Sequence, residues 1–161
     1  MVVSGNFMGS FKFGNREINS NGKRDGFVAL FNEYGSCLSL QNYGGSGSDN
    51  IKSISHNDGQ VHFVGSFSNQ IALGPKTFST RGVRDSYVAL FDTNTKVVLD
   101  AIQLGGSGED VAIHTDSAFS GNILFSGIST GVLDANGSIV SSTASRNGYL
   151  GLFVSMKDQN A

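Results

Sequence analysis

The chain has 161 residues and a formal net charge of −2, and only 15% of its residues are charged. No basic patch is large enough to follow a phosphate backbone, which argues against a nucleic-acid partner. Apolar runs such as "YVALF" at 87–91 are far too short to span a membrane, and no N-terminal stretch has the basic and apolar character of a signal peptide.

Glycine occupies 22 positions and proline one, a composition that favours many tight turns. The apolar residues occur in short β-branched and aromatic bursts, which are typical of strands. The only cysteine, Cys37, excludes a disulfide scaffold and a cysteine-rich metal site. We expect Cys37 to pack in or beside a strand.

One phrase is written three times, as "GKRDGFVALF" at 22–31, "GVRDSYVALF" at 82–91 and "ASRNGYLGLF" at 144–153. The segments that flank it recur at the same spacing of 60 to 62 residues. A fixed period of this length is the signature of a repeat architecture. We therefore divide a single repeat domain, 1–161, into unit 1 (about 1–50), unit 2 (about 51–110) and unit 3 (about 111–161).

The predicted strands, in chain order, are 2–7, 26–31, 37–43, 51–56, 61–67, 86–91, 97–104, 111–116, 123–129 and 148–153. A complete unit has four antiparallel strands, and a longer loop with a short extended piece joins the second to the third. In unit 3 this loop has two extra residues, and its Asn136-Gly137 pair is typical of a hairpin turn. The pattern predicts an all-β fold of β-propeller blades: about three four-stranded antiparallel units, the first and last incomplete.

Three segments carry a family resemblance: "GGSG-x-D", the strand ending "VGSF", and "F-x-T-x-G-x-R-D-S-Y-V-A-L-F-D" at 78–92. Together they resemble the bacterial β-propeller repeats known as SBBP repeats, over nearly the whole chain. The chain departs from that pattern where "VALF" replaces a lysine-bearing strand end and where the fourth strands lack tryptophan. The resemblance implies a secreted or cell-surface protein; composition alone does not indicate this.

The predicted strands leave both ends of the stack open. Unit 1 lacks a first strand, and unit 3 lacks a fourth, because 154–161 is polar. About three blades are too few for the usual ring of four to eight. Open faces would expose apolar surface and unpaired edges. We expect ring closure to need another chain or further blades, and a dimer with six blades is the simplest closed form.

The repeated phrase carries Arg24, Arg84 and Arg146, followed by Asp25, Asp85 and Asn147. One interpretation is structural: Asp or Asn caps a turn by accepting from the amide two residues on, and the arginine bridges to a neighbouring blade. The other interpretation is a ring of arginines that binds an anionic ligand. Recurrence in every unit favours the structural role.

The loops "GGSGSD" at 44–49 and "GGSGED" at 105–110 resemble phosphate-binding loops, but no Lys-Ser/Thr pair and no helix follows. We expect their glycines to permit a sharp crossover between blades. Asp49 and Asp110 could offer oxygen ligands to Ca²⁺, although only one or two side-chain oxygens are evident at each site. No other cofactor is indicated, and His56, His62 and His114 form no metal-ligand pattern.

Most aromatic residues recur in register, which predicts an inter-blade core. Tyr34 and Tyr43 are candidates for stacking on sugars. The sequence favours a non-catalytic scaffold and binding surface whose partners are copies of itself, further blades, a protein or a glycan. The alternatives are a lectin-like protein and a carbohydrate-active enzyme that uses carboxylates such as Asp49 and Glu109.

Overall fold

The computed structural model of the chain describes residues 1–118, 122–135, 138–140 and 146–153. Every regular element among these residues is a strand, so the all-β prediction is confirmed. The strands are β1 (Val2–Phe7), β2 (Ser10–Phe13), β3 (Arg16–Asn19), β4 (Asp25–Phe31), β5 (Cys37–Tyr43), β6 (Asn50–Asn57), β7 (Gln60–Phe67), β8 (Gln70–Leu73), β9 (Lys76–Ser79), β10 (Asp85–Asp92), β11 (Val97–Gly105), β12 (Asp110–Ser117), β13 (Ile123–Ser129), β14 (Leu133–Ala135), β15 (Ser138–Val140) and β16 (Asn147–Phe153).

Unit 2 has the four-stranded antiparallel sheet that the sequence predicts, in the order β6-β7-β10-β11. Unit 1 forms a β1-β4-β5 sheet and unit 3 a β12-β13-β16 sheet. The same two bulges recur, one early in the first strands of units 2 and 3 and one early in the fourth strands of units 1 and 2, opposite the end of the third strand. None of the sheets closes on itself within the described residues.

The loop between the second and third strands differs from the prediction of a single extended piece. In unit 1 it folds as the hairpin β2–β3 and in unit 2 as β8–β9. In unit 3 the strands β14 and β15 pair with each other, and β14 also pairs with β11 of unit 2. The predicted turn residues Asn136-Gly137 and the polar segment 154–161 lie outside the described residues.

Each sheet has two different faces because side chains alternate along a strand. The aromatic face carries Phe27, Ala29 and Phe31 in unit 1, with Tyr87, Ala89 and Phe91 and then Tyr149, Gly151 and Phe153 at the equivalent positions. The opposite face, here the aliphatic face, carries Val28 and Leu30, with Val88 and Leu90 and then Leu150 and Leu152 as equivalents.

The core forms where the aliphatic face of one unit packs on the aromatic face of the next. Val28 and Leu30 of unit 1 share a cluster with Phe63, Tyr87 and other residues of unit 2. In the same way, residues of the unit 2 aliphatic face join the aromatic face of unit 3 in a second cluster, which contains Val64, Val88, Phe125 and Phe153. The two internal junctions are therefore built from the same pair of faces.

A glycine faces the first aromatic ring of the repeated phrase in every unit. The cross-strand partners are Gly5 and Phe27, Gly65 and Tyr87, and Gly127 and Tyr149. A Cβ at Gly65 would overlap the carbonyl oxygen of Asn50, which accepts the Tyr87 hydroxyl at 2.9 Å. The glycine of the "VGSF" motif thus makes room for an aromatic ring across the strand.

Candidate interaction site

The junction between units 1 and 2 is tied by Asp49, whose side chain is fully buried. Its Oδ2 accepts the amide N–H of Gly45 at 2.6 Å, and its Oδ1 accepts that of Ser68 at 3.0 Å. The Asp49 amide itself donates to the Arg24 carbonyl at 2.7 Å. One residue therefore joins the loop after β5, the end of β7 and the loop before β4.

The second junction repeats this arrangement around Asp110. The amide N–H of Gly106 donates to Asp110 Oδ2 at 2.8 Å, and the Asp110 amide donates to the Arg84 carbonyl at 2.8 Å. Thr130 replaces Ser68, and its hydroxyl accepts the Glu109 amide at 2.6 Å. The Oδ1 atom of Asp110 is buried without a hydrogen-bond partner. Both loops therefore have an architectural role.

The glycines of these loops are needed because backbones touch there. A Cβ on Gly45 would overlap the carbonyl oxygen of Gln70, and one on Gly106 would overlap that of Val132. Both carbonyls belong to the segment that leads into the hairpin of the next unit. The glycines therefore permit the close crossover between units that the sequence predicts, with the backbone of the next unit against each loop.

Asp25 and Asp85 cap turns, but not in the predicted direction. Asp25 accepts the amide of Asn21, four residues before it, and Asp85 likewise accepts the amide of Arg81. The Gln103 side chain also donates to Asp85, at 2.5 Å. Both carboxyls are buried at the first residue of a strand. The amides within their reach are therefore those of the preceding loop.

Burial is the main influence on these carboxyls. It raises the pKa of Asp49, and the negative charge of Asp25 adds to this, while the amides of Gly45 and Ser68 and the charge of Arg84 act in the opposite direction. Burial likewise raises the pKa of Asp85 against the bond from Gln103. Within the described residues no three acidic, histidine or cysteine side chains converge as a metal site. The Asp49 oxygens that the Ca²⁺ hypothesis needs both accept backbone amides.

The three arginines occupy equivalent positions but different surroundings. Arg24 and Arg84 are half-buried, and their backbones bridge to Ser48 and Glu109 of the adjoining loop. The Nε atom of Arg24 is buried without a partner. Arg146 is exposed. Main-chain atoms of Arg24 and Arg84 therefore join the two loops, and Arg146 lines a cleft.

That cleft has a volume of about 440 Å³ and lies on unit 3, with Lys52 contributed from β6. Its charged residues are Lys52, Glu109 and Arg146, and its apolar wall includes Ile113 and Ile128. Among the described residues that line it there is a single carboxylate and no histidine. A pair of carboxylates for glycoside hydrolysis is therefore not assembled in this cleft.

Tyr43 and the histidines differ in their surroundings. Tyr43 is buried against Phe63, with ring centroids 5.0 Å apart, so its ring is not free to stack on a sugar. Tyr34 is exposed in the turn after β4. His56 and His114 are exposed, whereas His62 is fully buried. Cys37 is half-buried at the start of β5.

The outer faces of units 1 and 3, here the end faces, are the largest feature that was not identified from single residues. Unit 1 leaves open only the part of its aromatic face that its own β2–β3 hairpin does not cover, since Phe11 and Ile18 pack in one cluster with Ala29 and Phe31. Unit 3 leaves its aliphatic face open. Exposed side chains on these faces include Val3, Phe13, Leu124, Leu150 and Leu152. The alternation of the third strand was the available signal, because it assigns Leu150 and Leu152 to the face that is covered in units 1 and 2.

Comparison with known proteins adds no relative. No family model matches the chain, and no curated protein matches it significantly. No helix among the described residues is long and apolar enough to cross a membrane. The functional interpretation therefore depends on the geometry of the junctions and the end faces.

Proposed function

We propose that this chain is a non-catalytic repeat module of the β-propeller type, which serves as a structural scaffold and binding surface. We further propose, from its likeness to SBBP repeats, that it belongs to a secreted or cell-surface bacterial protein. One observation carries the proposal: the same two faces and the same loop contacts build both internal junctions.

The use of the recurring polar residues supports a scaffold over an enzyme. Asp25, Asp49, Asp85 and Asp110 are all fully buried, and each accepts a backbone amide that holds a loop. Active sites place reactive groups in a cavity with perturbed pKa values and open access. Here the carboxyls whose pKa is raised, Asp49 and Asp85, are closed off at the junctions.

The blade arrangement accounts for the position of the first strands. The first strands of units 2 and 3 lie side by side and share polar contacts: Ser55 and Ser117 hydroxyls are 2.7 Å apart, and the Thr115 amide donates to the Ser53 hydroxyl at 3.2 Å. Stacked sheets that meet along their first strands are what blades around an axis require.

A turnover screen with a matched variant tests the non-catalytic proposal. The purified chain and a Glu109→Gln variant are assayed against chromogenic glycosides, because Glu109 is the carboxylate that lines the cleft. We expect no turnover by either protein. Turnover by the wild type that is lost in Glu109→Gln would show an enzyme and overturn the scaffold proposal.

A further inference from the structure

We propose that the partner of both end faces is a second copy of this chain. The aliphatic face of unit 3 in one copy packs on the aromatic face of unit 1 in the other, as successive units pack inside the chain. This inference rests on the proposed function, since it treats the units as stackable modules, and it adds the identity of the partner.

The unit 3 face has the residue types of a covered face. Val88 and Leu90 of unit 2 are 0% and 4% exposed because unit 3 covers them. Their equivalents Leu150 and Leu152 are 72% and 55% exposed. Leucine stands at both positions, in place of Val88 and Leu90 of the covered face, and such an open apolar face is unfavourable in water.

The unit 1 face shows the complementary contrast. Leu73 of unit 2 is fully buried beneath unit 1, whereas its equivalent Phe13 is 43% exposed. Next to Phe13 lies an almost entirely apolar hollow of about 200 Å³, with Val3 and Phe31 in its wall. Aliphatic side chains such as Leu150 and Leu152 are suited to fill it.

The polar groups at the junctions also match. At the internal junction the hydroxyls of Ser86 and Tyr149 lie 2.8 Å apart. The equivalent positions on the end faces are Gly148 and Phe27, neither of which has a hydroxyl. Contact between two copies would therefore bury no unpaired hydroxyl at this position, which avoids the cost of an unsatisfied polar group.

Two copies related by a two-fold axis would make this contact twice. Each copy offers one aromatic and one aliphatic face, so the pair leaves neither face in water. A head-to-tail contact that closes in this way ends growth, whereas one that does not close continues as a filament. A closed pair has six units in all, which is within the usual range of four to eight blades.

The molar mass in solution is the first test. We expect about twice the chain mass of 16.9 kDa by light scattering at micromolar concentration. Leu150→Lys should give a single chain, because a charge would be buried in the contact. Val83→Lys is the matched control, since Val83 is as exposed as Leu150 but lies in the loop before β10, and it should remain paired.

Cross-linking tests which faces meet. The variants Val3→Cys and Leu150→Cys are each made in a Cys37→Ser background. Each variant is oxidised alone, and a mixture of the two is oxidised in the same way. We expect rapid cross-linking only in the mixture. Cross-linking by either variant alone would show like faces in contact and overturn the head-to-tail arrangement, and a mass that grows with concentration beyond that of two chains would overturn the closed pair.

The outcomes separate this inference from the function on which it rests. A wild type that is a single chain, with β-type circular dichroism, would overturn the pairing and leave the scaffold proposal intact. Turnover dependent on Glu109 would overturn the scaffold proposal whatever the mass. Circular dichroism of Leu150→Lys confirms that a change in mass does not reflect unfolding.

Discussion

At the scale of single residues, His62 stands out because it is fully buried and both of its ring nitrogens lack hydrogen-bond partners. It lies on the aliphatic face of unit 2, where units 1 and 3 have Val2 and Leu124. Burial lowers the pKa of His62 to about 4, and the nearby His56 contributes in the same direction. The ring is therefore neutral in the folded protein at pH 7.

We predict that His62→Leu stabilises the protein and that the gain grows as the pH falls. The unfolded chain takes up a proton near pH 6.5, whereas folded His62 does so only near pH 4, so wild-type stability is lost between these values. A shift of this size corresponds to roughly 3 kcal/mol. Even at pH 7.5 the variant should gain about 1 kcal/mol, because two unsatisfied nitrogens are removed.

Urea unfolding at pH 7.5 and pH 4.5 measures the difference between the two proteins. The pKa values of Asp49 and Asp85 are raised in the folded protein, so the contribution of these residues to stability falls as the pH rises. Both residues are present in wild type and variant, so their contributions cancel in the difference. His114→Gln serves as the control, since His114 is exposed on β12. An equal difference in unfolding free energy between wild type and His62→Leu at the two pH values would show that His62 does not titrate as its burial requires.

At the scale of elements, the long strands were predictable and the hairpins were not. Strands such as β10 carry an apolar run bounded by turn residues, and this local pattern is enough to place them. The hairpin β8–β9 has four residues in each strand. It is held by packing into the cluster that units 1 and 2 share, a contact that no local pattern encodes. Tertiary packing supplies what the segment itself lacks.

The same distinction applies to the candidate site. The importance of Asp49 and Asp110 could be predicted from the sequence, because each ends a glycine-rich loop at the same position of the repeat. Their partners were not, since Ser68 is 19 residues from Asp49 and meets it only after two sheets stack. The sequence predicted an accessible Tyr43 for a related reason. Its equivalent in unit 2 is Leu104, and comparing the two residues does not show which side of β5 is covered.

We predict that Gly106→Ala destabilises the protein by about 1–3 kcal/mol, in the range of overpacked sites. The added Cβ would overlap the backbone carbonyl of Val132, which a side-chain rotation cannot relieve. Ser107→Ala, at an exposed position in the same loop, should stay within about 0.5 kcal/mol of wild type. Chemical denaturation followed by circular dichroism measures both, and equal midpoints for the two variants would contradict the backbone contact.

At the scale of the whole molecule, stability should be graded from the centre of the stack outwards. Every residue of β7 is buried, because unit 2 is covered on both sides. The strand β16 alternates between half-buried and exposed positions, and β1 has exposed residues at Val3 and Asn6, since each belongs to a unit with one open face. Regions with fewer buried contacts open at lower free energy.

We therefore predict that backbone amides in β7 and β10 exchange with deuterium most slowly, and that β1 and β16 exchange faster in the separated chain. Pairing of two copies would cover Val3 on β1 and Leu150 on β16, so dilution below the dissociation constant should speed exchange in these two strands while β10 stays unchanged. Leu150→Lys should show the fast pattern at every concentration. Equal, concentration-independent exchange in all four strands would contradict both the graded stack and the covered ends, because each requires the outer sheets to depend on a neighbour that the central sheet already has.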